Sequence, residues 1–576
     1  MNKNYPIYKT TFIDDMRSLV EEAAQNFPDS TAISYKDKPS DKEVKKVSFT
    51  QWRDDVRHLG TALIANGLRE ENIAIVGENS YGWCCSFFGV MAIGSVTVPV
   101  DKELPLEDID GIITTTACKA VIFGKTAEEK IKSLLQNGGL TSVKTLISIN
   151  PDCRIEESGD KTVTSITELE AKGAELYSNG DNSYYDYKID VNRLASIVFT
   201  SGTTGKGKGV MLSQANIGLD MTLGMYNFDI TRKTLHVLPP HHTFGSTVNY
   251  VGHLSQGCEV YISSGLKHVS DEIREQQPTH LILVPAFLEV MNRKIWTTAR
   301  KTGKEGLLKV MMKVSDGLRK IGIDLRKKLF SSVLAAFGGK LELVICGGAK
   351  LDEEIIKTFD SLGITILNGY GITECAPLIS ANRNKYRKPG SVGTPILACR
   401  VRIDNPDENG EGEICVKGPN VMLGYYNNPE ATAEVFDKDG FFHTGDYGRL
   451  DEEGWIYITG RKKNLIILSN GKNVYPEEIE ADLQKVEGVS EVVVYAGESR
   501  VQKDKITIVA EIYPDADLMA DKGITDPQGY FEDQVKILNA KMPSYKVVKR
   551  VKLRNEEFQK NTSRKITRFS IDKTID

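Results

Sequence analysis

From about residue 50 to 380 the apolar positions fall into two kinds of run that alternate. Short β-branched stretches such as "NIAIVG", "KAVIFG", "ASIVFT", "LHVLP", "LILVP", "LELVICGG" and "ITILNGYG" several times end at Gly or Pro, and longer helix-like stretches separate them. Runs that are apolar on both faces predict buried strands, and their alternation with helices predicts α/β architecture with loops at the strand ends suited to ligands. Between Val401 and Gly460 the texture becomes short strands and tight turns, "EGEICVKG" and then "YGRLDEEGWIYITG", with "DEEG" as a hairpin loop. This predicts a small β-rich module at about 401–460. After "GRKKN" a smaller α/β pattern resumes: "PEEIEADLQKV" reads as a helix with Pro at its start and acids in its first turn, "VSEVVVYAG" and "KITIVAEIYP" as strands.

One uncharged stretch, Asn79 to Val100, is long enough to cross a bilayer. Gly82, Gly89, Gly94, Ser95, Thr97 and Pro99 dilute it and break it near Gly94, so a buried helix followed by the strand "SVTVPV" is expected instead. Arg293 to Lys328 stands apart, with twelve Lys or Arg and three acids in 36 residues, interleaved with "LLKVMM", "GLRKIGIDL" and "KKLFSSVL". A solvated basic face is the preferred reading, and a helix pair resting on an anionic membrane surface is the alternative.

With 576 residues, more than one core is expected. A net charge of −5 argues against a general nucleic-acid binder. Nine scattered cysteines without a C-x-x-C pair suit free thiols in a reducing compartment, and the N-terminal stretch has no apolar run of a secretory leader. A cytoplasmic protein is therefore expected, peripheral at the inner face of a membrane if the basic segment docks there.

The stretch "FTSGTTGKGKGVMLS", Phe199 to Ser213, carries the first chemistry. Counted from Gly202 it spells G-x-x-x-x-G-K, but the Ser or Thr that binds magnesium in a P-loop is replaced by Gly209. The same physics can use backbone N–H groups, the hydroxyls of Thr200, Ser201, Thr203 and Thr204, and two lysines around a polyphosphate, with glycines allowing close approach. A P-loop kinase or NTPase is the competing class. His241 and His242 in "LPPHHTFG", with His236 and His253, have no zinc-like spacing.

The motifs downstream are "NGYGITE" at Asn368–Glu374, "HTGD" at His443–Asp446, "GRKKNLIILSNGKNVYPEEIE" at Gly460–Glu480 and "NTSRKITR" at Asn561–Arg568. In this order, with the Gly/Thr/Lys loop before them, they resemble the adenylate-forming (AMP-binding) superfamily, and the resemblance spans nearly the whole chain. It implies an N-terminal adenylation domain at 1–462, made of two α/β sheet subdomains and the β-rich module, and a small mobile α+β C-terminal domain at 463–576.

The resemblance also implies roles. Thr200, Ser201, Gly202, Thr203, Thr204, Gly205 and Lys208 are expected to wrap the ATP phosphates, with Thr200 and Glu374 holding Mg2+. Tyr370 is expected to stack on adenine beside Gly371, flanked by Gly347, Gly348 and Ala349, and Thr373 to bond the α-phosphate. Asp446 is matched to both ribose hydroxyls with Arg461 beside it, Lys565 to the bridge between acyl carboxylate and ATP, and Lys463 to the hinge. Gly471, Lys472 and Asn473 would line the coenzyme A channel, and His242 the carboxylate end of the acyl site. Gly207 stands where family loops usually have Pro, and Arg564 where Gly often precedes the lysine. The long basic insertion between "LVPAFLE" and "CGGAK" resembles the long-chain fatty acyl-CoA synthetases. The expected reaction converts a fatty acid to acyl-AMP and then to acyl-CoA, with ATP and coenzyme A as substrates; acyl carrier protein ligases and acyl-AMP ligases are the sibling readings. A non-catalytic binding protein on the same fold is the remaining alternative. Oligomeric state is not legible.

Overall fold

A computed structural model of the chain describes residues 8–153, 155–156, 159–200, 207–230, 232–468, 472–498, 506–560 and 566–575. It divides into two compact units, Met1–Arg400 with Lys417–Gly440, and Val401–Val416 with Phe441–Asp576. The expected boundary near Lys463 falls inside the second unit, and residues 417–440 of the expected β-rich stretch belong to the first.

The first unit holds two large sheets. In the nine-stranded sheet the strands Thr365–Gly371, Leu343–Cys346, His280–Leu283, Lys233–His236, Glu259–Ile262 and Thr31–Tyr35 lie side by side in that order, all parallel. Antiparallel strands close both its edges. The eight-stranded sheet is parallel through Val96–Val100, Asn72–Val76, Ala120–Phe123, Thr145–Ser148 and Thr162–Ser165. It turns antiparallel where Leu194–Thr200 meets Lys208–Ser213, which in turn pairs with Gly424–Tyr425. The strands foreseen as apolar on both faces are buried accordingly: Val96–Val100, Ala120–Phe123 and Leu343–Cys346 are buried at every position.

The uncharged stretch is core, as its glycines imply. Ser80 caps the helix Tyr81–Ala92 by accepting from Trp83 N–H, and ten of its twelve residues are buried. Gly94, at φ +78°, turns the chain into Val96–Val100. Burying Trp83, Phe87, Phe88 and Met91 contributes roughly 1.5–3 kcal/mol each. Among the described residues no helix is long and apolar enough to cross a membrane.

The second unit begins with a four-stranded sheet, Arg400–Asp404, Gly412–Lys417, Phe442–Leu450 and Ile456–Arg461, the last two joined by the expected hairpin with Asp451 N–H on Trp455 O. Val489–Gly497, Thr507–Pro514 and Arg550–Leu553 form a second sheet. The helix Pro476–Leu483, with Pro first and Glu477 and Glu478 in its first turn, and Phe531 and Val535 of the helix Pro527–Asn539 share the core of that sheet.

Candidate active site

Gly209 decides between the two readings of the phosphate loop. Lys208 and Gly209 open a strand, Lys208–Ser213, antiparallel to Leu194–Thr200, with Thr200 opposite Lys208. A P-loop lysine and its hydroxyl residue instead open a helix, so the P-loop alternative is corrected here. A Cβ at Gly209 would stand 3.0 Å from Ile197 and 3.3 Å from Tyr426, so a side chain there is crowded out. Ser201, Gly202, Thr203, Thr204 and Gly205 lie outside the described residues, as do Gly471 and Lys565.

Across the nine-stranded sheet, Leu343–Cys346 and Thr365–Gly371 run parallel with Cys346 opposite Asn368, so Gly347–Ala349 and Tyr370–Glu374 leave the same end of the sheet. Tyr370 is buried. Gly371 is dictated by close approach: a Cβ there would lie 2.1 Å from the Pro377 carbonyl. Thr373, buried, and Glu374, half-buried, stand on the 3-10 turn Thr373–Cys375.

A segment that no motif announced joins these two regions. Leu423 N–H bonds Met211 O and Tyr426 N–H bonds Gly209 O, adding Gly424–Tyr425 to the phosphate-loop strand. On its other side Met422 N–H bonds Glu374 O at 2.8 Å. Tyr425 then donates its hydroxyl to Glu374 Oε1 at 3.0 Å, and Lys208 Nζ lies 4.6 Å from the centre of the same ring. Burial first, and the Glu374 charge second, push the Tyr425 phenol far up, so it stays a donor. Beneath, fully buried Asp220 accepts from Leu378 N–H at 3.2 Å and from Asn420 Nδ2 at 3.4 Å. The same amide donates to Leu378 O and Cys375 O, so both side chains pin the chain that follows Glu374. Desolvation pushes Asp220 well up.

His242 precedes a π-helical segment, Phe244–Gly252, of a kind often found at functional sites. Its Nδ1 accepts from Phe244 N–H at 3.3 Å and its carbonyl accepts from Gly245 and Ser246. His241 Nε2 is 3.6 Å from Asp101. His236 and His253 are fully buried, and desolvation lowers them to about 3 and about 4, so both are neutral. No group of three or more His, Cys, Asp or Glu that could hold a metal ion occurs among the described residues.

In the second unit Asp446 and Arg461 are paired across two strands, with Arg461 Nε 2.7 Å from Asp446 Oδ1. Asp446 is 3% exposed while the Arg461 side chain is 44% exposed, leaving a nearly buried carboxylate beside an accessible guanidinium. Glu413, unforeseen in the sequence, organises the turn before Asp446: its carboxylate accepts from Gly445 N–H, His443 Nδ1 and Lys462 Nζ. Burial pushes that carboxyl up, but the Lys462 and His443 bonds outweigh it and hold Glu413 below its usual range. Lys463 stands on the 3-10 turn Lys462–Asn464. Desolvation and then Arg461 lower its ammonium, and the next residue, Asn464, donates to Glu477 Oε1 at 2.5 Å. Lys472 Nζ lies 4.5 Å from the Tyr545 ring centre, and Asn473 begins the short strand Asn473–Val474.

Thr200, Lys208, Gly347–Ala349 and Tyr370–Glu374 thus belong to the first unit, and Asp446, Arg461, Lys463, Lys472 and Asn473 to the second. The AMP-binding enzyme family model matches residues 20–426, and the chain belongs to that family. It is 29% identical over 501 residues to mouse long-chain-fatty-acid–CoA ligase 5, covering 82% of this chain and 71% of the mouse protein. It is 27% identical over 552 residues to Arabidopsis thaliana long-chain-fatty-acid–[acyl-carrier-protein] ligase AEE15, chloroplastic, covering 83% and 74%. Among solved structures, ATP-bound MatB from Rhodopseudomonas palustris superposes with a TM-score of 0.74 at 24% identity, covering 96% of this chain and 97% of that one. That likeness supports the fold.

Proposed function

We propose that the chain is an acid–thiol ligase that activates a long-chain fatty acid with ATP and passes the acyl group to coenzyme A. In the first step a carboxylate oxygen attacks the α-phosphorus, the bond to the β-phosphate oxygen breaks, and pyrophosphate leaves. In the second, the thiol sulfur attacks the acyl carbon of the acyl-AMP, AMP leaves and the thiol proton is lost. Both nucleophiles come from substrate, so the chain's work is positioning and charge neutralisation. Lys208 meets the phosphates, Thr373 bonds the α-phosphate and Tyr370 stacks on adenine. Asp446 takes the ribose hydroxyls with Arg461 alongside, and Lys565 bridges carboxylate and ATP. Lys463 is the pivot of the C-terminal domain, 463–576, whose loop Gly471–Asn473 lines the thiol channel, and His242 gates the carboxylate end of the acyl site.

The observation that carries this reading is the chain of contacts from Lys208 through Tyr425 to Glu374, which sets a phosphate-loop cation and an acidic turn on one tyrosine. The Thr200 hydroxyl and the Glu374 carboxylate are hard oxygen donors. Magnesium takes one or two such protein ligands and completes its shell with phosphate and water, so these residues fit it without a closed protein cage. The ion would neutralise charge on the leaving pyrophosphate.

Nucleotide analysis with magnesium-ATP and acids of increasing length, with and without coenzyme A, tests the proposal. AMP and pyrophosphate released in a coenzyme A-dependent manner and rising with chain length are expected. Stimulation by acyl carrier protein instead of coenzyme A would move the acceptor to the carrier protein, the reading favoured by the similarity to AEE15. AMP released at a rate indifferent to any thiol would indicate an acyl-AMP ligase, and ADP would overturn adenylation.

A further inference from the structure

We infer that the outer face of the helices Pro285–Lys301 and Glu305–Lys320, with the segment 321–328 that follows, is a docking surface for an anionic phospholipid bilayer. The inference does not rest on which acid or thiol the enzyme uses.

The inner side of Glu305–Lys320 is anchored. Leu308 and Ser315 are buried, and Met311, Met312 and Trp296 pack on the core that includes Leu288, Ile295 and Phe359. An ordinary solvated helix would turn polar residues outward from there. Here Leu307, Val310, Val314 and Ile321 are 57%, 58%, 53% and 71% exposed, at spacings that place them on one ridge. Ile323 and Leu325, just beyond the helix, and Val290, on the preceding one, are exposed as well. Seven of the thirteen exposed large hydrophobic side chains among the described residues therefore fall between Val290 and Leu325. Concentration of this kind, rather than any single exposed side chain, marks an interaction surface.

A second ridge is cationic. Lys309, Lys313 and Lys320 recur at helical spacing beside the apolar ridge, with Gly306 and Gly317 between the two. Three of the four acids between Pro285 and Lys328 are already engaged: Glu305 pairs with Lys309 and Arg300, Asp316 with Arg319, and Asp324 with Arg326, while the fourth, Glu289, is half-buried. Lys294, Lys301, Lys313, Lys320 and Lys328 make no ion pair among the described residues. The patch thus presents unpaired positive charge on a chain whose net charge is −5.

Charge complementarity calls for an anionic partner, and the apolar ridge selects a bilayer over an acidic protein. Its side chains are aliphatic, project from a helix rather than line a groove, and lack the exposed aromatic anchors that dominate protein interfaces. Lysines beside a shallow aliphatic ridge suit an interfacial helix, with the ridge among the acyl chains and the ammonium groups among the headgroups.

The test is flotation of the full chain with vesicles of equimolar phosphatidylglycerol and phosphatidylcholine, against vesicles of phosphatidylcholine alone. The chain is expected to float with the anionic vesicles, to be partly released by salt, and to stay behind with the neutral ones. Val310→Glu/Val314→Glu and Lys313→Glu/Lys320→Glu change only exposed side chains. Each is expected to lower partitioning about tenfold or more while melting temperature and AMP release in solution match the parent. Failure of the parent to float, or flotation of both variants like the parent, overturns the inference. Loss with the lysine variant alone also overturns it, because the face would then recognise a polyanion such as an acidic protein without inserting into lipid.

Discussion

The Tyr425 hydroxyl donates to Glu374 Oε1 at 3.0 Å from a strand that is itself paired to Lys208–Ser213, the strand that follows the proposed phosphate loop. The acid proposed to hold magnesium is therefore oriented by a residue more than two hundred positions from that loop in sequence but one strand away in space. Tyr425→Phe keeps the ring over which Lys208 lies and removes only the hydrogen bond. A bond to a charged partner contributes about 1.5–3 kcal/mol, less where water replaces it. The magnesium concentration for half-maximal AMP formation is expected to rise about tenfold, with the melting temperature little changed, whereas Glu374→Gln abolishes AMP formation. A magnesium titration at fixed ATP decides it; an unchanged midpoint in Tyr425→Phe would remove the tyrosine from the site.

In the second unit Arg568 donates to both oxygens of Glu480 and to Val494 O, three residues beyond Lys565 in the chain. Both side chains are half-buried, so losing Arg568 removes charge-assisted hydrogen bonds worth about 1.5–3 kcal/mol. Arg568→Ala is expected to lower the melting temperature, and Glu480→Gln added to it to recover part of the loss. In the double variant, adenylation should fall well below the parent while thioester formation from preformed acyl-AMP persists, because Lys565 is proposed to act in the first step alone. Equal loss in both half-reactions would place the pair in general folding and separate it from the lysine.

Much of this arrangement was legible in the chain. Buried strands announced themselves by apolar runs ending in Gly or Pro, and the break in Asn79–Val100 by Gly94. The motif residues Asp446 and Arg461 fell opposite each other as neighbours on paired strands. What stayed hidden depends on pairing between distant segments. Nothing local marks Tyr425, Asp220, Asn420 or Glu413, because each acts on backbone or side chains supplied by another element. The passage of 417–440 into the first unit is hidden for the same reason: its strand Gly424–Tyr425 finds its partner at Lys208–Ser213. The basic segment was ambiguous in sequence, since spacing alone does not tell which side of an amphipathic helix meets the core.

Neutral His236 and His253 tie stability to pH. Desolvation holds them at about 3 and about 4, below the 6.5 of an open histidine, so between those values the unfolded chain binds more protons. Stability attributable to them is complete above pH 6.5 and falls as the pH drops toward 4, by up to about 1.4 kcal/mol per pH unit for each. His253 stacks on His280 and bonds Val248 O through Nδ1, and His236 packs against the Tyr250 ring. Urea midpoints measured from pH 7 to pH 5 should fall, and His253→Gln should flatten the slope by up to one proton. An identical slope in that variant would assign the acid sensitivity to carboxylates.

Gly94 separates two causes of a glycine requirement. Its φ of +78° disfavours any side chain, and a Cβ there would stand 2.6 Å from the Tyr187 ring. Gly67, at φ +71°, has nothing within 4 Å of the same construction. Gly67→Ala therefore reports backbone strain alone, about 1–2 kcal/mol. Gly94→Ala is expected to cost more by the overpacking penalty, about 1–3 kcal/mol. In a Tyr187→Leu background, the cost of Gly94→Ala should shrink toward that of Gly67→Ala. Chemical unfolding of the four variants closes this cycle, and an undiminished cost in the leucine background would show that the turn, rather than the ring, excludes a side chain at Gly94.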